Sequence, residues 1–384
     1  MNRLKEIMVE KMKEIWKPEA TVESIVDYAP PVHVVSGTSQ IVTASGARMI
    51  LGDCVEGLRS HVADASIDLS VFSPPFLGLY RYSDNPEDIS NCASRDEFCE
   101  HMGHLARELF RVLKPGRLMT FHCMSVPRST REFSAEMAFS MQDIRGDLIR
   151  IFEEAGLLFH SEAVVYRDPV LSLVQTKAYG LWYKRFVADS SVCRQAMPDH
   201  VVTMRKPGTN AVPIAHDPEK FGGAEAAWAA EAAEASAEAE EASDDEEGAG
   251  AAQAKKKKKT KKAAGAAPPK DAKEAAVVAH RKRWIELASP FWFVNLNDTV
   301  NVRKAIGLPH RGPKEAEEDK VTHPTPLAKP IIRNVIDLYS NPGETVLDPF
   351  SGIGSTGVVA REMGRSYVGV ELAETYYSAS LNLV

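Results

Sequence analysis

A glycine-rich turn late in the chain constrains the fold more than any other stretch. Its sequence is Asp348-Pro349-Phe350-Ser351-Gly352-Ile353-Gly354. Residues 345–347 before it are β-branched and apolar, as in the end of a buried strand, whereas residues 355–363 after it have helical spacing. A second apolar run at 367–370 leads to Glu371. Together these segments predict a βαβ unit with a carboxylate about 20 residues after the first glycine.

The charge around this turn indicates which ligand it binds. Dinucleotide sites and nucleoside sites both need a tight turn, close backbone approach and a carboxylate for the ribose hydroxyls. A pyrophosphate prefers helix amides without a competing anion, but Asp348 lies at the start of this turn. A carboxylate there suits a ligand with cationic groups, and S-adenosylmethionine has an ammonium, a sulfonium and a ribose. We therefore expect S-adenosylmethionine, with a dinucleotide or a purely structural turn as the alternatives.

Length, charge and cysteine usage restrict the class of protein. The 384 residues, 44% of them hydrophobic, suffice for one large α/β domain with insertions or for two domains. A net charge of -7 disfavours binding of nucleic acid by bulk charge and leaves local basic patches. The five cysteines lack Cys-x-x-Cys spacing, so we expect no structural metal and a reducing compartment. The charged N-terminal stretch has no apolar run of signal or membrane-span length, which predicts a cytoplasmic protein without membrane contact.

Strand-like and helix-like segments alternate along most of the chain. Apolar runs typical of strands lie at 49–51, 67–72, 117–121, 163–166, 200–204, 345–347 and 367–370. Amphipathic spacing predicts helices at 95–113, 147–155, 331–338 and 355–363. This alternation predicts an α/β fold, in which a mainly parallel sheet carries helices on both faces.

Two regions depart from that alternation. Residues 1–29 contain an amphipathic helix that ends at Pro18 and can pack on the core or form a dimer contact. Residues 224–273 are rich in Ala and Glu, then in Lys, with too few apolar groups to offset the entropy of ordering. We expect a disordered linker there, whose lysines could hold phosphates without specificity. The predicted segments are 1–29, 30–223, 224–273, 274–322 and 323–384.

A second motif follows the strand-like run 67–72. It reads Ser73-Pro74-Pro75-Phe76, and two consecutive prolines prevent the strand from continuing. Ligands of open α/β sheets bind beyond the carboxyl ends of the strands, so this motif and the glycine turn should lie at one edge. Ser73 and the carbonyl of Pro74 could each accept one N–H of an exocyclic amine on cytosine or adenine. Phe76 would stack on that base, flipped out of its duplex, or would simply pack in the core.

At these two motifs the chain resembles a known family. It resembles the amino-methylating DNA methyltransferases, which modify cytosine at N4 or adenine at N6, in the subgroup whose catalytic motif precedes the cofactor motif. The four residues 73–76 match the catalytic tetrapeptide and 348–354 match the cofactor loop; the resemblance covers about 47–208 and 284 to the end. It implies a Rossmann-like S-adenosylmethionine-dependent methyltransferase fold with circularly permuted motif order, and double-stranded DNA as the partner.

The resemblance also implies roles for individual residues. In the cofactor loop it implies contacts from Asp348, Phe350, Gly352 and Gly354. Glu371 corresponds to the ribose carboxylate, and Asp53 to an aspartate that reaches the cofactor adenine. Thr325, within His323-Pro324-Thr325-Pro326, would contact the methionine carboxylate. The family's target-recognition region would include the basic residues Arg281, Lys282 and Arg283, as contacts to DNA phosphates.

The implied activity is direct transfer of a methyl group to an exocyclic amine, without a covalent enzyme intermediate. Serine at position 73 favours N4 of cytosine, with N6 of adenine as the alternative. An RNA or protein-amide substrate, and a non-catalytic DNA-binding module with the same fold, stay open. A homodimer and a cognate restriction endonuclease are further partners compatible with this family.

Overall fold

A computed structural model describes seven stretches of the chain: 37–76, 82–83, 85–127, 140–176, 179–216, 283–300 and 326–384. The predicted N-terminal helix and the Ala/Glu-rich and Lys-rich linker lie outside the described residues. So do Thr325, Arg281 and Lys282. The segment boundaries predicted at those places therefore stay predictions.

The described strands and helices follow the predicted alternation. The strands are β1 (Ser39–Val42), β2 (Arg48–Leu51), β3 (Ile67–Phe72), β4 (Leu113–Cys123), β5 (Val126–Pro127), β6 (Met141–Gln142), β7 (Leu158–Val165), β8 (Asp199–Arg205), β9 (Phe291–Trp292), β10 (Thr345–Asp348) and β11 (Ser366–Glu371). The helices are α1 (Cys54–His61), α2 (Arg95–Val112), α3 (Ile144–Glu154), α4 (Pro169–Thr176), α5 (Tyr183–Ala188), α6 (Lys329–Tyr339), α7 (Ser355–Glu362) and α8 (Glu374–Leu381). None of these described helices is both long and apolar enough to cross a membrane.

Nine of the described strands form one sheet, in the order β1-β2-β11-β10-β3-β4-β8-β7-β9. The five strands from β2 to β4 in that order are parallel to their neighbours. β8 runs antiparallel between β4 and β7, and β1 runs antiparallel to β2. The predicted mainly parallel α/β sheet is confirmed, and the two antiparallel strands are features that the sequence patterns did not indicate.

The centre of the sheet joins two parts of the chain that are far apart in sequence. Strand β10 pairs with β3, so that Val346 lies opposite Leu69. The glycine-rich turn leaves the carboxyl end of β10, and the double-proline motif leaves the carboxyl end of β3. Because parallel strands end at the same edge of a sheet, this pairing places both motifs side by side.

Alternating side chains of the strands pack against helices on both faces of the sheet. Ile50 lies in the core formed with α1, α2 and α3, whereas its neighbours Met49 and Leu51 lie in the core formed with α6, α7 and α8. Helix α2 buries Phe98, Met102, Leu105 and Leu109 at helical spacing. Each fully buried side chain of this size contributes about 1.5–3 kcal/mol. The two cores hold the central strands rigid and leave the carboxyl edge free for a ligand.

A buried arginine joins three of the central strands at their amino ends, on the edge of the sheet opposite the two motifs. Arg117 of β4 is only 1% exposed, and its Nε donates a hydrogen bond to the carbonyl of Asp68 in β3 at 2.8 Å. Its guanidinium also forms an ion pair with Glu344, the residue before β10. Asp68 in turn accepts the amide N–H of Thr345 at 3.0 Å. This network ties β3, β4 and β10 together at their amino ends.

Replacing this arginine should therefore destabilise the whole domain. Removing one partner of a buried ion pair leaves an uncompensated charge and costs about 3–5 kcal/mol. We expect Arg117→Met to lower the free energy of unfolding in urea by that amount. The matched control is Arg59→Met, because Arg59 is 58% exposed on α1, and its change should stay within about 0.5 kcal/mol. Equal midpoints for the two variants would show that the network does not stabilise the sheet.

Candidate active site

A cavity of about 930 Å³, including its open mouth, lies at the carboxyl edge of the central strands. Residues of both predicted motifs line it: Ser73, Pro75, Asp348, Phe350 and Gly352. Asp53 after β2 and Glu371 at the end of β11 line it as well. The structure thus brings together residues from four neighbouring strand ends, and Gly354 follows them at the start of α7.

The glycine-rich turn adopts a backbone conformation that favours glycine. Gly352 and Gly354 have φ angles of 54° and 87°, in the left-handed region. A Cβ atom on Gly354 would also approach Cγ1 of Val384 to 2.8 Å. The amide of Gly352 donates a hydrogen bond to Oε2 of Glu371 at 2.7 Å. The turn is therefore tied directly to the carboxylate at the end of β11.

Glu371 is held in place by two backbone amides. Besides the Gly352 amide, its Oε1 accepts the N–H of Ala373 at 2.8 Å. The side chain is partly buried in the cavity wall. Burial raises the pKa of Glu371, and the negative charges of Asp88 and Asp348 raise it further. Each oxygen keeps a lone pair for another donor, so Glu371 can accept hydrogen bonds from ligand hydroxyls.

Asp348 places a second carboxylate at the end of β10. It is 4% exposed, and Oδ1 accepts the amide N–H of Phe350 at 2.9 Å. Burial raises the pKa of Asp348 to about 7, an effect that the Thr356 hydroxyl and the Phe350 amide only partly offset. Thr356 Oγ1 lies close to Asp348 and is buried, but it makes no well-formed hydrogen bond within the described part of the chain. A bound polar ligand that forms hydrogen bonds to these two groups would stabilise the site.

Asp53 has a structural task in addition to its predicted one. Its Oδ1 accepts the amide N–H groups of Val55 and Glu56, both at 2.9 Å, and thereby caps helix α1. The cap fixes the orientation of the carboxylate at the cavity wall. Among the described residues, its second oxygen, Oδ2, accepts a hydrogen bond from the weak donor Cys54 Sγ, at 3.9 Å. Asp53 can therefore cap the helix and accept a ligand N–H or O–H at the same time.

The double-proline motif points two of its four residues toward the cavity. Ser73 and Pro75 line it, whereas Pro74 and Phe76 are buried. The Ser73 hydroxyl lies 3.1 Å from Nδ1 of His122 on β4. The Phe76 ring packs edge-on against His122, with 6.2 Å between ring centroids. In this state Phe76 belongs to the core, so its stacking on a base stays a prediction.

A polar loop that the sequence motifs did not indicate covers part of the cavity. Ser83, Glu87 and Asp88 line it, together with Tyr376 from α8. The loop is braced internally, because Ser83 Oγ donates to Asp88 Oδ2 at 2.7 Å and the Ser90 amide donates to Oδ1 at 2.9 Å. The carboxylates that line the cavity are Asp53, Glu87, Asp88, Asp348 and Glu371. Such a wall favours a cationic ligand over an anionic one.

The predicted phosphate-binding residue Arg283 is not near this cavity. Its Nε donates to Asp337 at 3.1 Å, in the last turn of α6. Helix α6 begins next to Leu327, which lines the cavity, and leads toward the amino end of β10. Arg283 therefore lies toward the opposite edge of the sheet, already paired with a carboxylate. A contact between Arg283 and DNA stays a prediction.

One small group of potential metal ligands lies outside the cavity. Within the described stretches, Cys92, Glu97 and His101 have ligand atoms within 4.8 Å of one another. Glu97 already accepts the amide N–H of Ala93 at 2.7 Å, as part of the N-terminal cap of α2. We therefore interpret this group as part of the N-terminal cap of α2.

The chain is similar in sequence to known methylases. A sequence model of the DNA methylase family matches residues 67–382. Among characterised relatives, the type II methyltransferase M1.MboII of Moraxella bovis is 31% identical over 109 residues, which are 28% of this chain and 39% of that protein. M.HinfI of Haemophilus influenzae is 43% identical over 60 residues, 16% of this chain and 17% of its own. The chain thus aligns with well under half the length of these relatives.

A solved structure supports the fold over a longer stretch. The PvuII DNA methyltransferase, described as specific for cytosine N4, superposes with a TM-score of 0.50 at 14% identity and covers 91% of this chain and 88% of its own. At this identity the likeness concerns the fold. The family model, by contrast, matches a region that includes both motifs at the cavity. Members of this family use S-adenosylmethionine as their cofactor. The chain therefore belongs to the S-adenosylmethionine-dependent DNA methylase family that contains the N6-adenine and N4-cytosine methyltransferases.

Proposed function

We propose that this protein methylates the exocyclic amine of a base flipped out of double-stranded DNA, with N4 of cytosine as the first candidate. The observation that carries the proposal is that Ser73 and the carboxylates Asp348 and Glu371 line one cavity. The catalytic motif and the cofactor loop are therefore close enough for one methyl group to pass between their ligands. A base can reach such a cavity only after it leaves the duplex stack.

The residues at the cofactor end fit S-adenosylmethionine. When bound, this cofactor supplies an electrophilic methyl group on a positively charged sulfur. Glu371 would accept hydrogen bonds from its ribose hydroxyls, and the free oxygen of Asp53 would accept one from its adenine. Asp348 and the Thr356 hydroxyl, which lack full hydrogen-bond partners, would bind its polar methionine end. The negative charge of each carboxylate in the cavity wall would also stabilise the positive charge of the bound cofactor.

The residues at the other end fit a neutral amine. Ser73 Oγ and the carbonyl of Pro74 are hydrogen-bond acceptors at the end of a rigid strand, because the two prolines fix the backbone there. Two acceptors would hold both N–H groups of the amine and leave its lone pair directed at the methyl group. This orientation carries most of the rate in a reaction without a covalent intermediate. Serine rather than a carboxylate at position 73 is the reason to place cytosine before adenine.

The product distinguishes the two bases directly. We expect N4-methylcytosine when unmodified duplex DNA is incubated with the full chain and S-adenosylmethionine, then digested to nucleosides and analysed by mass spectrometry. N6-methyladenine would keep the active site and correct the base. The absence of methylated nucleosides on DNA of varied sequence, from protein that binds S-adenosylmethionine, would contradict DNA as the substrate and direct the same assay to RNA and protein.

Removal of the serine hydroxyl should affect the rate and spare the cofactor. We expect Ser73→Ala to lower the methyl-transfer rate by about 10²–10³-fold, the range found when one orienting hydrogen bond at a reaction centre is lost. The dissociation constant for S-adenosylmethionine, measured by calorimetry, should change by less than about 2-fold, because Ser73 lies at the amine end of the cavity. A 10-fold change would correspond to about 1.4 kcal/mol of lost binding free energy. Ser66→Ala serves as the control, since Ser66 is half-buried outside the cavity lining and its hydroxyl donates to the nearby carbonyl of Ala63. A Ser73→Ala enzyme as fast as wild type would refute the role of this hydroxyl.

Cofactor affinity should depend on pH. The pKa of Asp348 is about 7 in the free protein, and the cationic ligand favours the ionised carboxylate. Burial raises the pKa of Glu371 to about 7 as well, so we expect S-adenosylmethionine to bind at least about 10-fold more weakly at pH 6 than at pH 8, as protonation removes the charge. Asp348→Asn should bind weakly at both pH values. A wild-type dissociation constant that is the same at pH 6 and 8 would show that Asp348 does not titrate in this range.

The same group gives the free protein an opposite trend in stability. Because the folded pKa of Asp348 is higher than its unfolded value, this carboxyl loses stabilising free energy as pH rises from about 4 to about 7. The increase in melting temperature on adding S-adenosylmethionine should accordingly be larger at pH 8 than at pH 6. Asp348→Asn should reduce this difference between the two pH values, and the part that remains belongs to Glu371, whose pKa burial also raises to about 7.

A further inference from the structure

A chain of four polar side chains leads from the cavity into the protein through Ser73. Ser73 Oγ lies 3.1 Å from Nδ1 of His122, and Nε2 of His122 lies 3.1 Å from Oδ2 of Asp199. Asp199 also binds Arg167 through both oxygens, at 2.7 and 2.8 Å. The four residues come from the ends of β3 and β4, the start of β8 and the segment after β7. None of them binds the cofactor in the site described above.

The far end of this chain carries a fixed negative charge. Asp199 is fully buried, and burial alone would raise its pKa, but the His122 ring and the Arg167 guanidinium hold the pKa of Asp199 at about 2. Its carboxylate is therefore ionised at every working pH. Two hydrogen bonds from Arg167 keep it in place behind the histidine.

This carboxylate determines which nitrogen of His122 carries the proton. A carboxylate 3.1 Å from Nε2 favours the tautomer protonated at that nitrogen. Nε2 is buried and has no other hydrogen-bond partner among the described residues, so Asp199 is the acceptor available to it. Nδ1 is then an acceptor directed at the Ser73 hydroxyl. The competing acceptor for that hydroxyl is the carbonyl of His122, at 3.3 Å.

We propose that His122 is a positioning residue that takes up, through Ser73, the proton released by the amine during methylation, with Asp199 holding the ring in the required tautomer. This inference rests on the proposed function. Each turnover breaks one C–S bond, forms one N–C bond and leaves the nitrogen with a proton to lose. That proton passes to Ser73 Oγ as the hydroxyl proton passes to Nδ1. The imidazolium, stabilised by Asp199, returns the proton to water.

Two charged groups of the described residues lie on the Nε2 side of the ring. They are Asp199 from β8 and, behind Asp199, Arg167 from the segment after β7. The Phe76 ring covers one side. Cys123, the next residue of β4, stays a neutral thiol because burial raises the pKa of Cys123 far above its ordinary value.

The tautomer can be tested without any activity. We expect ¹⁵N NMR of histidine-labelled full-length protein at pH 8 to show His122 protonated at Nε2 and unprotonated at Nδ1. Asp199→Asn should shift this ring toward the other tautomer and leave the signals of His200, which binds Glu162 at 2.6 Å, within their wild-type pattern. Wild-type His122 protonated at Nδ1 would overturn the inference, since that nitrogen could not accept the serine proton.

Kinetics test the proton uptake itself. Asn at position 122 offers an amide oxygen near the place of Nδ1, so His122→Asn keeps an acceptor for Ser73 but removes the ability to take up a proton. We expect a fall of about 10²-fold in the single-turnover rate, at saturating cofactor and DNA, with dissociation constants for both within about 2-fold of wild type. His200→Asn is the matched control and should keep the wild-type rate.

The outcomes separate this inference from the proposed function. Wild-type protein that methylates DNA, together with a His122→Asn variant of unchanged rate, would overturn the role of His122 alone. Wild-type protein that methylates no DNA would contradict the proposed function, and the NMR result would then decide whether His122 has the tautomer that proton uptake requires.

Discussion

The pairing of β10 with β3 is the interaction on which the rest of the structure depends. It pairs residues as far apart in sequence as Ser70 and Leu347, which are 277 positions apart, and thereby brings the glycine-rich turn next to the double-proline motif. Each motif supplies only part of the cavity wall: the glycine-rich turn contributes Asp348, and the double-proline motif contributes Ser73. Loop closure over such a distance costs entropy, and the two apolar cores and the buried Arg117 network offset that cost at the opposite edge. The order of the motifs along the chain is therefore of little consequence, because the sheet alone determines their distance in space.

The cavity concentrates negative charge where most proteins avoid it. Asp348 and Glu371 are held by backbone amides rather than by cationic side chains, so their charges are available to a ligand. Asp199, by contrast, forms an ion pair with Arg167 and lies beside the His122 ring. The same residue type thus serves two purposes in one protein. Carboxylates bound only to amides attract a cation, and a carboxylate bound to a guanidinium gives a permanent, structurally fixed charge.

Local sequence patterns predicted much of the fold. They did not predict most of the residues that lie behind the cavity wall. The apolar runs at 67–72 and 367–370 became β3 and β11 with boundaries within one residue, because hydrophobic periodicity is a local property. The antiparallel direction of β8 could not be predicted from such periodicity, since it depends on the path of the connections between strands. Likewise, nothing near Ser73 in sequence indicates His122, which is 49 residues away, or Asp199. Asp53 was predicted as a ligand-binding residue, but its hydrogen bonds to Val55 and Glu56 depend on where α1 begins.

The edge-on contact between Phe76 and His122 has a consequence for the timing of the reaction. The ring of Phe76 packs edge-on against one side of His122. A base that drew the ring out to stack on it would expose that side of the imidazole. The arrival of the base and the access of water to His122 would then be coupled. His122 could return a proton to water only while a base that releases one is bound.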